Sequence, residues 1–556
     1  MSAPIRRATR RASSPPSSGR LASTARGSTR TGSSAGTRRS PGSSPQPGAE
    51  PVSDGGTPAA PVNYRRAALG GAAVTGLGTL TKASLQVAAI IVLARLLTPA
   101  DFGIMAMVFP IIAFAQVLQD AGLGSAVLQR SEISEPELAT MFWLNAAVGI
   151  VLALLFLAVS PFVADFYHEP RVQALTAASG TLLLLAALAV QPRTILNRNL
   201  RFTTLAISDA LSLLVGTLLA CGVAWLTGSY WSIFLLSFGA SATECVFAWA
   251  LAGWRPTVRA PLHKVMDLVR FGGHMTLSNI AGYFSRNLDN ILIGRVWGAT
   301  ALGFYERAYK VVLMPVLFVH MPLFRLMVPI LSRTRDEPER YRRQYLLSYQ
   351  LSLLLTVPGL TLLASATTIV VGLVMGPKWI TGAPIFAWLA LTGLFQLVTG
   401  PIAMMFVSQN RPRAALVSSV VSSIYTVVAF LIGIRWGAVG VAMAYAISEG
   451  IRTPLMVWYA TSEGPIRFKD ATATTLPFVL AAIVCFVLTR GLLLTQLDET
   501  SPLLFTVTTG ILLYLVTIPI LMINHAGREF LREIFTAVGN MLRRFRKPGL
   551  STPPSA

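Results

Sequence analysis

The sequence predicts an all-α integral membrane protein with about fourteen transmembrane helices: two six-helix lobes related by an internal repeat, plus two C-terminal helices. Three observations predict it. Hydrophobic residues make up 53% of the 556-residue chain and charged residues only 13%, about half the roughly 25% charge of a soluble domain. Apolar runs of the length that crosses a hydrocarbon layer, about 20 residues, recur along most of the chain, with a mean hydropathy of +0.59. A sequence pattern near residue 95 also returns near residue 295, after six such runs.

Residues 1–62 are Ser, Pro, Arg, Gly and Thr with almost no large apolar side chain. They cannot bury enough surface to offset their ordering entropy and read as a disordered basic tail. With no apolar h-region, the tail is not a signal peptide. The expected spans then run 70–94, 103–128, 138–164, 172–191, 204–226, 230–253, 272–294, 302–330, 346–373, 383–407, 412–434, 437–460, 472–494 and 502–524. They group as an N-lobe (63–260, helices 1–6), a C-lobe (261–465, helices 7–12) and a final pair (466–525, helices 13–14). Residues 526–556 form a basic tail. Its Phe530, Ile534, Val538, Met541 and Phe545 recur at helical spacing beside Arg532, Arg543, Arg544 and Arg546, which suits a helix lying on the membrane surface or a solvated tail.

The net charge of +22 is not a nucleic-acid footprint. Lys and Arg concentrate in the two tails and in every second connection, which is the positive-inside pattern. It places both termini of a multi-pass protein in the cytoplasm. Connections are short on both sides, leaving no extramembrane domain for a catalytic site. There is no Walker loop, no His-Glu-x-x-His and no Gly-x-Ser-x-Gly. Cys221, Cys245 and Cys485 lie far apart in apolar spans and make neither a metal pattern nor a disulfide framework. No enzyme activity, metal or cofactor is expected.

The repeat aligns LARLLTPADFGIM (93–105) with IGRVWGATALGFY (293–305). Arg95 and Arg295 each close a span, and Gly103 and Gly303 follow eight residues later. Six intervening spans make the two units parallel in topology, and transporters place their substrate path between such repeats. The same 200-residue shift aligns polar positions. Thr75, Thr79, Lys82 and Gln86 fall on one face of the first span. Asn279, Tyr283, Arg286 and Asn290 fall on one face of the seventh. Such stripes suit a water-filled cavity between lobes.

Charges within spans are costly and face protein or water. Lys82, Arg286, Arg307 and Lys310, with Gln86, Asn279, Tyr283 and Asn290, are the candidate cavity groups for an anionic substrate. Asp289 and Asp120 are candidate ion-coupling sites. Structural readings stand beside these. Arg286 and Asp289, three apart, and Glu306 and Lys310, four apart, can simply pair. Arg307, near a span end, can snorkel. Lys82 has no opposite charge within four residues, so a local pairing reading is weaker for it, though a partner could still come from another helix. Pro110, Pro315, Pro322, Pro358, Pro401 and Pro454 interrupt spans, either as hinges or as static kinks.

The stretches LARLLTPADFGIMAM (93–107) and DAGLGSAVLQR (120–130) resemble the opening helices of polysaccharide exporters of the multidrug/oligosaccharidyl-lipid/polysaccharide superfamily. The stretch NLDNILIGRVWGATALGFYERAYKVVLMPV (287–316) resembles the seventh and eighth helices of its colanic-acid-exporter branch, the Wzx-type flippases, through Asn287, Asp289, Asn290, Gly294, Gly303, Tyr305 and Tyr309. The resemblance covers residues 66–525, and the basic N-terminal tail departs from the family pattern. It implies twelve to fourteen helices in two six-helix lobes. It also implies a flippase that moves an undecaprenyl-diphosphate-linked repeat unit from the cytoplasmic to the outer leaflet, by alternating access, for exopolysaccharide, capsule or O-antigen. The implied partners are that lipid-linked oligosaccharide, membrane lipids, a polysaccharide polymerase and a chain-length regulator. A peptidoglycan lipid-precursor flippase or a drug/cation antiporter of the same superfamily is the alternative. A membrane-embedded polymerase fits the short loops poorly. A cationic cavity suits such a lipid, because it offsets the cost of taking a diphosphate out of water.

Overall fold

The computed structural model describes residues 81–120, 134–256, 261, 266–494, 502–523, 527–533 and 536. For residues 120, 266–282, 284–286, 494 and 523 it describes the backbone alone. Residues 63–556 belong to one compact unit. The tail 1–62 and the polar positions Thr75 and Thr79 lie outside the described residues.

The described secondary structure is helical. The helices are α1 (81–96), α2 (Pro99–Asp120), α3 (Glu135–Tyr167), α4 (Arg171–Arg198), α5 (Phe202–Thr227) and α6 (Trp231–Ala252). One continuous helical run, Met266–Arg333, is broken at Gly298, whose φ of 78° and ψ of −175° no helix contains. It is therefore two helices, α7 (266–297) and α8 (299–333). Then follow α9 (Pro338–Ser365), the short α10 (Thr367–Met375), α11 (Ala383–Ser408), α12 (Pro412–Gly433), α13 (Gly437–Thr461), α14 (Phe468–Leu494) and α15 (Pro502–Ile523). Together the helices fall on the fourteen expected spans, the ninth being shared by α9 and α10. Among the described residues, eleven stretches qualify as membrane-crossing by length and hydropathy. Two of these, Asn287–Arg333 and Pro412–Thr461, each run through a tight turn between two spans, and the described part of α1 is too short to count.

Two boundaries differ from expectation. The fourth span was expected to stop at residue 191, before Pro192. Instead α4 continues through Pro192 to Arg198, because a proline removes one helical donor without ending a helix that its neighbours hold in place. The ninth span was expected over 346–373. It starts at Pro338, ends at Ser365 and gives way to α10, so its first turns carry Arg340, Arg342 and Arg343. Local chemistry explains other ends. Ser134 and Glu137 form a reciprocal capping box at the start of α3. Between α3 and α4, Arg171 donates two hydrogen bonds to Glu169, at 2.8 and 2.9 Å. These hold the Glu169 carboxyl below its usual range.

The packing pattern repeats. In the first half, α2 and α3 pack on α4, α4 packs on α6, and α6 on α5. In the second half, the α7–α8 run and α9 pack on α11, α11 packs on α13, and α13 on α12. Corresponding members of the two repeats make the same contacts. Outside these helices the surface is apolar: Phe162 is 70% exposed, Leu226 76% and Val487 62%. Such a surface suits lipid contact and is far larger than a soluble monomer tolerates.

The halves meet at the starts of α2 and α8. A Cβ at Gly103 would overlap the Ala299 carbonyl, and one at Gly303 would overlap the Pro99 carbonyl. Residues 99 and 103 thus face 299 and 303, a contact with twofold character that only glycine's missing side chain permits. The repeated glycines of the sequence are the crossing point of the repeats.

Candidate functional site

Contacts between the halves accumulate at the end of the bundle that holds this crossing. The Trp379 indole donates to the Ala94 carbonyl at 2.8 Å, and the Arg95 guanidinium donates to the Leu373 carbonyl at 2.5 Å. Arg295 stacks over Phe166 at 5.3 Å, while Phe102 meets Trp379 edge-on at 5.4 Å. These side chains join the connections α1–α2, α3–α4, α7–α8 and α9–α11 into one sealed end. At the opposite end, the hydrogen bonds found among the described residues stay within one half. Trp254 donates to Glu135 and Arg201 to the Leu251 carbonyl in the first. In the second, Arg411 donates to the Ala460 carbonyl and Arg342 to Asp470.

The predicted site residues separate into three groups. At the seal, Arg307 and Lys310 on α8 both pair with Glu306. Arg307 lies over the Phe102 ring at 4.2 Å, and Lys310 over Phe109 at 4.4 Å. Both rings belong to α2, so the pair of cations bridges the halves. The expected Glu306–Lys310 pairing is present. Arg307 does not snorkel: its side chain is 8% exposed, because the ring and the carboxylate together replace its water. Tyr283 belongs to the same group. It is buried, donates its hydroxyl to the Pro110 carbonyl and leans on Phe114 at 5.2 Å.

In the second half, Asp289 on α7 is buried and accepts from the Tyr305 hydroxyl at 3.0 Å and from the Asn290 amide at 2.8 Å. Asn290 is half-buried beside it. Nearby elements add polar contacts: Gln396 on α11 donates to Tyr445 on α13 at 3.0 Å. Arg452 on α13 pairs with Glu449 and donates to Ser422 on α12. The Arg452–Glu449 pair is 10% and 3% exposed and lies within α13, while the bond to Ser422 ties α13 to α12. Asn279 and Arg286 lie on α7 and Asp120 closes α2, and their side chains are outside the described residues.

In the first half, Lys82 on α1 finds a partner on another helix, an alternative that the sequence reading left open. Its Nζ lies 3.5 Å from Asp209 Oδ2 on α5. Asp209 Oδ1 also takes Nη1 of Arg193 on α4 at 3.0 Å, and the same Nη1 reaches Glu244 on α6. Four helices thus converge on two cations and two carboxylates. Gln86, one turn along α1, is exposed. Beside Arg193 opens a cavity of about 360 Å³ lined by Thr194, Asn197, Ser241 and Glu244 among others. Sequence reasoning assigned Arg193 to a cytoplasmic connection, since the fourth span was stopped at residue 191. The continuation of α4 past Pro192 carries it into the bundle. The missed signal was the length of the apolar-periodic pattern running on to Leu196.

The fold and this arrangement of charges inside a lipid-facing bundle define a multi-pass membrane protein of the transporter class. The chain belongs to the family described as polysaccharide biosynthesis proteins, which it matches over residues 92–384. It is 25% identical to the lipopolysaccharide biosynthesis protein WzxC of Escherichia coli K12 over 71% of this chain and 81% of that one. It is 26% identical to the teichuronic acid biosynthesis protein TuaB of Bacillus subtilis 168, over 62% and 72%. Among solved structures it shares its fold with the lipid II flippase MurJ in an inward closed conformation. There the TM-score is 0.62 and the identity 13%, over 80% of this chain and 97% of that one.

Proposed function

We propose that the protein is a flippase that moves a polyprenyl-diphosphate-linked oligosaccharide repeat unit from the cytoplasmic to the outer leaflet by alternating access. The observation that carries the reading is the set of partly exposed charges inside an apolar bundle that is joined across its halves at one end. Lys82 is 49% exposed at its side chain and Arg193 30%. Charged groups at that exposure in a membrane span face water, because hydrocarbon contact costs several kcal/mol. A polar interior reached from one side is what an amphipathic lipid needs: its glycan and diphosphate travel inside while its polyprenyl chain stays in the bilayer. By name, WzxC is a lipopolysaccharide biosynthesis protein, TuaB a teichuronic acid biosynthesis protein and MurJ a lipid II flippase. The positive-inside pattern turns the sealed end outward, so this state loads from the cytoplasmic leaflet. Residues 63–260 and 261–465 are the two moving lobes, and 466–525 a flanking pair. Lys82, with Gln86, Asn279, Arg286 and Asn290, lines the path. Arg307, Lys310 and Tyr283 hold the outer closure. The delivered unit passes to a polymerase and chain-length regulator in the inner membrane.

Reconstitution tests this. Proteoliposomes holding the full-length protein and a fluorescent undecaprenyl-diphosphate oligosaccharide should expose the probe to an external quencher or lectin faster than protein-free vesicles. Lys82→Ala should slow the exchange about tenfold, and Lys82→Arg should retain much of it. Equal rates with and without protein would end the proposal.

A further inference from the structure

We infer that Arg193 and Lys82 form a loading site for the substrate diphosphate, and that Asp209 and Glu244 are internal counter-anions which the diphosphate displaces. The inference rests on the flippase reading above and deepens it to a binding step.

The geometry of the cluster is the starting point. Asp209 spans the two cations, with one oxygen 3.0 Å from Arg193 Nη1 and the other 3.5 Å from Lys82 Nζ. One carboxylate therefore bridges α1 and α4 through α5, as two linked phosphates would. The contacts of Asp209 and Glu244 with Arg193 both use Nη1. The guanidinium carries five donors in a planar fork suited to phosphate, so its Nε and Nη2 edge is left by these two carboxylates. The adjoining cavity of about 360 Å³ is lined by Arg193, Thr194, Asn197 and Ser241. Its size falls within the range of ligand pockets, about 300–1,000 Å³.

The exposures distinguish this cluster from a brace. The four side chains are 49%, 27%, 30% and 35% exposed. The Arg452–Glu449 pair, by contrast, is 10% and 3% exposed. Hydrated ion pairs exchange partners at small cost, whereas buried ones do not. Charge balance gives the carboxylates their purpose. Two cations left unpaired among apolar helices would be expensive, and would capture any small anion. Two carboxylates cancel them, so that only a ligand able to reach both cations at once competes. A diphosphate does so with more charge and more acceptor oxygens than a monophosphate, and so displaces the carboxylates more readily.

The depth fits loading. At about 1.5 Å per residue, Arg193 lies about 8 Å from the end of α4 at Arg198. Asp209 lies about 10 Å from the start of α5, and Glu244 about 12 Å from the end of α6. The cluster thus sits just beneath the headgroup layer at the unsealed end, within reach of a lipid phosphate arriving from that leaflet.

The test is binding of undecaprenyl diphosphate and undecaprenyl monophosphate to the full-length protein in nanodiscs. Wild type should prefer the diphosphate. Arg193→Gln should weaken diphosphate binding about tenfold, and Lys82→Gln similarly. Asp209→Asn should tighten it several-fold, because the competing anion is gone. Arg193→Gln can destabilise the fold by stranding two carboxylates. The double variant Arg193→Gln/Glu244→Gln keeps the network neutral, and should show the same loss with normal thermal stability. If Asp209→Asn weakens binding in step with Arg193→Gln, Asp209 is a brace and the exchange idea is wrong. Unchanged binding in the Arg193 variants would likewise overturn it, while leaving the flippase reading intact. A wild type that binds neither lipid removes the substrate reading itself, and this inference with it.

Discussion

At Asp289 the described contacts add a role to the two that spacing left open. Three residues from Arg286, it read either as that residue's ion-pair partner or as a proton-coupling site. The described contacts are with the Tyr305 hydroxyl and the Asn290 amide, so the carboxylate is an acceptor that ties α7 to α8. Asparagine keeps an acceptor oxygen of similar shape, while leucine strands a buried hydroxyl at a cost of about 1–3 kcal/mol. Asp289→Asn should therefore retain substantial polysaccharide export in a complemented deletion strain, and Asp289→Leu should lose most of it at reduced membrane abundance. Collapse of export in Asp289→Asn at normal abundance, with loss of its pH dependence, would instead make Asp289 the coupling site. The same logic explains Arg307. Its identity and approximate depth were legible in the sequence, but its burial over Phe102 was not, because that ring lies 205 positions away on another helix.

Among the elements, α2 and α8 decide which end of the bundle is closed. Their crossing depends on Gly103 and Gly303, where any side chain would meet the opposing backbone. Gly303→Leu should force the helices apart by several ångströms and shift the population toward a state open at this end. Spin labels at Leu226 and Ile432, both exposed and in different halves, would report it as a longer distance distribution. A distribution identical to wild type would mean that the crossing does not hold the seal. The last helical stretch corrects an expectation. The basic C-terminal segment was read as a membrane-surface helix or solvated tail. In the structure Phe530 and Leu531 are buried, and Glu533 pairs with Arg343 on α9. That part of the tail docks on the bundle. Amphipathic spacing marks an apolar face without saying whether lipid or protein covers it.

For the whole molecule, orientation is the claim most open to test. If both termini are cytoplasmic, as the positive-inside pattern proposes, the turn between α8 and α9 faces the cytoplasm and the α10 region faces outward. In intact cells, an impermeant thiol reagent should spare a cysteine at Arg340 and label one at Ile380, which is 39% exposed. The protein for this test would have Cys221, Cys245 and Cys485 replaced. Labelling at 340 from outside would invert the topology, and with it the leaflet from which the described state loads.

The linear chain encodes what local, periodic chemistry can express. Apolar run lengths set the spans, since a helix in lipid must satisfy its own backbone over the full hydrocarbon thickness. The 200-residue recurrence set the repeat, whose glycines proved to be the crossing point. That any partner of Lys82 would be distant was also readable, because no opposite charge stood within a helical turn. Which charge that would be was decided only by tertiary structure. Asp209 is 127 residues from Lys82, and Arg193 entered the cluster because α4 continued past a proline that sequence rules treat as a stop. The sealed end, the stacking of Arg307 and Lys310 on α2, and the docking of the last helix share this origin. Each depends on which faces of separate helices meet, and that is settled by close packing among all of them rather than by any one helix's sequence.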